Sequence, residues 1–244
     1  MKKYIIIAAT LIASYTGFAQ GVNDIPIIGN KITIGIDGGL SIPSGDFGST
    51  STSGSTTGSS TTSGFAKLGF CYDIYAGVKV FKLLGVMAQY GGNSHSYDAS
   101  KLNTSSLTFT SNGGYNLSEY LIGPYVSVKL LKIKIEGKAL GGLVTSNYPT
   151  ISGSSNVGGI ATSVVSSFKT GNGFGYIIGA KLKYMMVGGM LGLGVGLNYL
   201  GSNINFKGIN SQTIVNGSLV QSSTYDSKMG VGLFQGTLGL SLDI

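Results

Sequence analysis

Leu191-Gly192-Leu193-Gly194-Val195-Gly196-Leu197-Asn198-Tyr199 puts an aliphatic or aromatic residue at every odd position and glycine or asparagine at every even one. A period of two marks a β-strand, whose successive side chains point to opposite faces. One face of this strand is broad and apolar, and the other carries almost no side chain. Gly supplies 41 of the 244 residues. Each weakens a helix interior by roughly 1 kcal/mol relative to Ala, which speaks against helical bundles.

Seven further segments from Lys31 onward alternate in the same way. Ile32, Ile34, Ile36, Leu40 and Ile42 stand opposite Thr33, Asp37 and Ser41. Ala66, Leu68, Phe70, Tyr72, Ile74, Ala76, Val78 and Val80 stand opposite Lys67, Cys71, Asp73, Tyr75 and Lys79. Leu84, Val86, Ala88 and Tyr90 oppose Met87 and Gln89, with the alternation fading after Gly91. Tyr120, Ile122, Val126, Val128 and Leu130 oppose Glu119, Tyr125, Ser127 and Lys129. Ile133, Ile135, Ala139 and Leu143 oppose Lys134, Glu136 and Lys138. Phe174, Tyr176, Ile178, Ala180, Leu182 and Tyr184 oppose Lys181 and Lys183. Phe234, Leu238, Leu240, Leu242 and Ile244 oppose Gln235, Thr237, Ser241 and Asp243. Across the eight segments the apolar face holds 47 positions and no charge, while the other face holds seven Lys and five acids.

Alternation alone fits a soluble barrel as well as a membrane one, so the character of each face decides. The apolar face is large at nearly every position, more than a small barrel interior could hold. The charged face is rich in Gly, as a crowded interior requires. Tyr90, Tyr120, Phe174, Tyr176 and Tyr199 gather toward one end of the apolar face, as in an interfacial girdle, and Tyr184 falls near the opposite boundary. Charged residues are only 10% of the chain, against roughly 25% in a soluble domain, and mean hydropathy is +0.30. The reading is all-β: a single eight-stranded antiparallel up-and-down transmembrane β-barrel over 31–244, with lipid outside and charges enclosed.

The connections sort by length. Lys82-Leu83, Leu131-Lys132 and roughly Val187 to Gly189 are short; Pro43 to Gly64, Gly92 to Asn116, Thr145 to Thr170 and Gly201 to Ser227 are long and polar. Short periplasmic turns and long extracellular loops are the pattern of outer-membrane barrels. Pro124 removes a ladder donor, and a local bulge is expected there. Residues 1–19 read as a secretory signal peptide: Met1-Lys2-Lys3, an apolar stretch from Tyr4 to Tyr15, and small residues before a cleavage between Ala19 and Gln20. Residues 20–30 read as an N-terminal periplasmic segment. Cys71 is the single cysteine, so no disulfide forms within the chain.

With these features the chain resembles the small eight-stranded outer-membrane barrels of the OmpA, OmpX and OmpW group. Within that group it is most similar to the "outer membrane protein beta-barrel domain" or porin-like family common in Bacteroidota-type bacteria. The resemblance rests on Gly17-Phe18-Ala19-Gln20, on Ile32-Thr33-Ile34-Gly35-Ile36-Asp37-Gly38-Gly39, and on the alternating last strand. It implies a bacterial outer-membrane location, outer-membrane lipid as surroundings, and recognition of the last strand by the barrel-insertion machinery. Phe234, Leu238, Leu240 and Leu242 suit that recognition; Ile244 stands where such strands usually end in an aromatic. No functional residues carry over.

An eight-stranded barrel is just wide enough for side chains to fill it. The inward charges Asp37, Lys67, Asp73, Lys79, Glu119, Lys129, Lys134, Glu136, Lys138, Lys181, Lys183 and Asp243 are therefore expected to pair across the lumen as an ionic plug. The function expected is structural or surface-interacting, with a surface ligand reached through the extracellular loops. The alternative is a narrow channel, or a carrier for small solutes or apolar ligands in the manner of OmpW. The more apolar loop with Ile160, Val164, Val165 and Phe168 is expected to fold over the mouth or take up an apolar ligand. The Ser/Thr/Gly tract 49–63 reads as a solvated surface segment.

Enzymatic chemistry is not expected. The sole histidine, His95, sits in Asn93-Ser94-His95-Ser96-Tyr97-Asp98 at or beyond a strand end and reads as a solvated loop residue, leaving lipid modification a distant third. No cofactor is implied: one His, one Cys and no carboxylate cluster at ligand spacing leave metal chemistry unsupported. The Gly-rich runs lack the helix and Lys-Ser/Thr of a phosphate loop. The lysines are spread along strands and form no nucleic-acid patch.

Overall fold

The computed structural model describes residues 32–50, 63–104, 108–157, 160–166 and 169–244. The leader 1–19 with its cleavage point at Ala19 and Gln20, the segment 20–30, most of the 49–63 tract and Phe168 lie outside the described residues. One antiparallel sheet contains eleven strands: β1 (Ile32–Ser44), β2 (Ala66–Lys79), β3 (Leu84–Tyr97), β4 (Thr108–Asn112), β5 (Gly114–Leu130), β6 (Ile133–Tyr148), β7 (Thr150–Val157), β8 (Ile160–Ser166), β9 (Lys169–Met186), β10 (Leu191–Val215) and β11 (Ser218–Asp243).

Eight of them close a ring in the order β1-β2-β3-β5-β6-β9-β10-β11. The seam between first and last strand is continuous from Thr33↔Asp243 to Ser44↔Gly232. It is finished by Ile32 and Ile244, which exchange backbone hydrogen bonds of 2.9 and 2.8 Å. Closure matters because hydrocarbon offers no partner to an open sheet edge.

The outward faces are the aliphatic ones. Leu197 is 71% exposed and Phe174 72%, while Asp37, Glu119 and Lys183 are at 3, 1 and 0%. A monomer in water does not display such a continuous apolar band. A closed ring with this exterior is an outer-membrane-type barrel, with lipid against the Ile, Leu and Val rows.

Three tight connections lie at one end: residues 80–83, the pair Leu131-Lys132, and one helical turn, Val187–Met190. They are the periplasmic turns. At the other end the sequence reading needs correction, because segments expected as loops are strand. β10 and β11 continue as a hairpin from Phe206↔Ser227 out to Val215↔Ser218, well beyond the length a bilayer requires. β8 pairs with the side of this hairpin, β7 with β8, and β4 with β7. The stretch expected to cover the mouth therefore forms β8 instead of a lid. Its β-branched Thr162, Val164 and Val165 suit a pleated surface, and the free edge of β10 supplies backbone partners.

Pro124 causes no bulge. The β5–β6 register has the same offset before and after it, Ile122↔Gly141 and Tyr125↔Lys138, and pairing is simply missing at Gly123-Pro124. On its other side Pro124 stays paired with Val86 of β3. The absent N–H thus faces β6, and two lost pairings cost less than shifting every later side chain to the wrong face.

Candidate functional site

The lumen is built from the inward positions of the eight ring strands, and it divides into two halves. The periplasmic half is ionic. Lys134 Nζ lies 2.8 Å from Glu136 Oε1 and 2.7 Å from Asp243 Oδ2. It also donates to Thr33 Oγ1 at 3.1 Å, tying β6 to β11 and β1 across the barrel. Lys183 Nζ reaches Glu136 Oε2 at 2.7 Å. Higher up, Lys181 pairs with Asp37 and donates to Tyr75 Oη at 2.8 Å. The ammonium groups of Lys181 and Lys183 also lie over the Tyr75 ring, 4.7 and 5.2 Å from its centroid. Lys138 donates to Gln89 Oε1 at 2.7 Å.

Two acids are held differently. Glu119 accepts from the Asn93 amide and, at 3.3 Å, from Gln235 Nε2. No lysine reaches Glu119 or Asp73 at ion-pair distance among the described residues, and Asp73 Oδ1 is buried without a hydrogen-bond partner.

Three of the twelve expected lumen charges lie elsewhere or at the margin. Lys67 is exposed and pairs with Asp98 at 3.3 Å on the extracellular rim. The register of β2 against β3 slips between Ala66 and Gly69, which turns this lysine out of the interior. Lys129 is exposed at the periplasmic end of β5, past the last buried inward position, Ser127. Lys79, the last residue of β2, is half-buried.

Above the charges the lumen is apolar, a feature missed in the sequence. Leu140, Ile177, Leu200 and Leu233 are cross-strand neighbours on β6, β9, β10 and β11 and form an aliphatic layer, each no more than 3% exposed. Over them sits an aromatic stack. Phe47, from the 3-10 turn Gly45–Phe47 after β1, packs edge-on against Tyr115 at 4.9 Å and His95 at 5.4 Å, and Tyr115, Tyr148 and Phe206 continue the contacts. The signal was a break in the alternation. Tyr120-Leu121, Leu143-Val144, Ile177-Ile178, Tyr199-Leu200 and Leu233-Phe234 are apolar doublets, in which both faces of a strand are apolar at one level.

His95 is therefore no solvated loop residue. It is 1% exposed, and Nδ1 lies 2.9 Å from the Lys67 carbonyl, which can only accept, so Nδ1 carries the proton. The charged half contains a cavity of about 20 Å³ beside Asp37, Tyr75, Tyr125 and Lys181, room for a single water. No group of three metal-ligating side chains converges among the described residues.

On the exterior the aromatic residues form two chains on separate sectors of the wall. Tyr72, Tyr90 and Tyr120 follow one another at 6.3 and 5.1 Å. Tyr176, Tyr199 and Phe234 do so at 6.3 and 5.0 Å. Tyr72 and Phe234 thus join the residues expected there, Phe174 stands outward on β9, and Tyr184 lies near the periplasmic turns.

No family model and no curated protein matches the chain. Among solved structures it is similar to Neisserial surface protein A, at 15% identity over 87% of this chain and 97% of that one with a TM-score of 0.39. It is similar to Ail, the attachment invasion locus protein of Yersinia pestis, at 11% identity over 88% and 100% with a TM-score of 0.42. A major outer membrane protein from Thermus thermophilus is likewise similar, at 13% identity over 87% and 99% with a TM-score of 0.39. What places this ring in a membrane is its closed ladder and aliphatic exterior, not these distant likenesses.

Proposed function

We propose that this protein is a closed, non-conducting barrel of the bacterial outer membrane that acts through the sheet it holds outside the cell. The aliphatic layer of Leu140, Ile177, Leu200 and Leu233, capped by Phe47 and Tyr115, carries this reading. All six side chains are buried and belong to one apolar cluster, which supports an occluded lumen above the ion pairs. The ionic half serves as a plug that ties opposite strands together. The exterior aromatic chains fix the outer headgroup level. Above that level the β10–β11 hairpin with β8, β7 and β4 forms a projecting sheet, in which, among the described residues, β4 pairs with β7 alone and β11 beyond Gly232 with β10 alone. Free edges of this kind accept an added strand, so the surface partner is a protein segment in extended conformation.

Single-channel recording of the purified barrel in planar bilayers tests the occlusion. No openings above background are expected, and stable openings would replace this reading with the channel alternative. For the surface role, a variant with the hairpin shortened at residues 209–225 should keep the gel mobility of a folded barrel and lose attachment of the bacteria to surfaces. Unchanged attachment would remove the projecting sheet from the function.

A further inference from the structure

We infer that the periplasmic turns form a binding site for the phosphate headgroup of an anionic glycerophospholipid in the inner leaflet of the outer membrane. The site is a groove of about 540 Å³ between the β5–β6 and β9–β10 turns, lined by Lys129, Leu131, Lys132, Tyr184, Met186 and Gly189. The Lys132 carbonyl accepts from Met185 N at 2.7 Å, so the two turns are held as one unit. The Leu83 carbonyl accepts from Ser127 N at 2.8 Å, which brings the 80–83 turn with Lys82 beside them.

Among the described residues, the exposed charged side chains on these turns are lysines. Lys82, Lys129 and Lys132 are exposed and Lys79 is half-buried, and none of the four makes an ion pair with a carboxylate among the described residues. The nearby acids Glu136 and Asp243 are buried in the lumen and already face Lys134. A phosphodiester is the anion a membrane brings to this depth, and each lysine near a charged bilayer surface strengthens binding several-fold.

The turns are also apolar where turns are ordinarily polar. Leu131 is 95% exposed with φ 57°, a left-handed conformation that glycine or asparagine adopts with less strain. Phe81 and Met190 are 61% and 48% exposed on the adjoining turns. Gly189 has φ +82°, and Lys129 Nζ lies over it so closely that an added Cβ would come within 2.5 Å. Lysine heads beside exposed aliphatic tips fit a headgroup and the first carbons of its acyl chains, which continue along the lipid-facing wall at Tyr184 and Ile133.

Native mass spectrometry of the full-length barrel in detergent, titrated with dioleoyl phosphatidylglycerol or dioleoyl phosphatidylcholine, tests this. The anionic lipid should bind about tenfold more tightly or better. Lys129→Gln/Lys132→Gln should bring the two lipids within about twofold of each other, and Lys129→Arg/Lys132→Arg should keep the preference. Lys207→Gln/Lys228→Gln, the same charge change on the projecting hairpin, should leave it intact. Gel mobility of the folded barrel checks every variant. Equal binding of both lipids by the unaltered protein, a preference that survives the Gln pair, or one lost equally in the hairpin control would overturn the proposal. Displacement of the lipid by glycerol 3-phosphate would show a site for free phosphate and also overturn it.

Discussion

Replacing Lys181 by Met removes the cation from Asp37 while leaving that carboxylate inside the barrel. Lys181 reaches from β9 to β1 across two intervening strands, pairing with Asp37 and donating to Tyr75. Asp37 is 3% exposed, so its charge has little water to turn to. Breaking one side of a buried ion pair costs about 3–5 kcal/mol, because the remaining charge loses its compensation and keeps its desolvation. With a urea slope of roughly 2 kcal/mol/M, the unfolding midpoint should fall by about 2 M. The adjoining cavity has room for one water, which places the effect toward the lower end of that range. The assay is reversible urea unfolding in lipid vesicles, followed by the gel mobility of the folded barrel. Lys181→Met/Asp37→Asn, which removes both charges, should recover most of the loss. A single-variant cost below about 1 kcal/mol, or a double variant no better than the single, would refute the idea that the lumen charges stabilise by pairing.

Asp73→Asn should leave the urea midpoint unchanged or raise it, since this buried carboxylate has no lysine partner; a fall of more than about 1 kcal/mol would show a cation that the geometry does not supply. Gly39→Ala should prevent folding, because its Cβ would stand 1.9 Å from the Gly236 carbonyl oxygen, whereas Gly236→Ala meets nothing within 4 Å and should fold normally; the gel-mobility assay separates the two. Asp98 titrates below the usual carboxylate range, chiefly through the Ser100 hydroxyl and then Lys67. A folded-state value that is depressed gives a contribution present above the unfolded value of about 3.9 and lost as pH falls through the folded one. The protection of amides around Ala99–Leu102, taken as exchange relative to the intrinsic rate at each pH, should therefore fall only below about pH 4, and Asp98→Asn should show the lower protection at every pH.

Most of the wall was legible without coordinates. Inside and outside follow from a period of two, and a transmembrane wall imposes that period strictly, so Leu193 and Lys183 fall on the expected faces. The reading failed where another constraint took over. At Lys67 a one-residue slip reverses the parity. Beyond Gly201 the apolar row of β10 turns inward, with Ile204 and Phe206 buried, and farther out polar Ser, Asn, Gln and Thr residues pair as strands with little apolar pattern to announce them. His95 looked like a loop residue because its neighbours are polar, yet Phe47, far away in the chain, covers it.

By itself the sequence determined the ring strands, their outward faces and the sorting of short turns from long connections, because strand pitch and the choice of lipid or lumen act on each residue locally. Only the tertiary structure decided which interior groups meet. Lys181 and Asp37 are 144 residues apart, and Lys134 and Asp243 are 109 apart. Such partners are set by the stagger at which the sheet closes, a property of all eight strands together that no local pattern records.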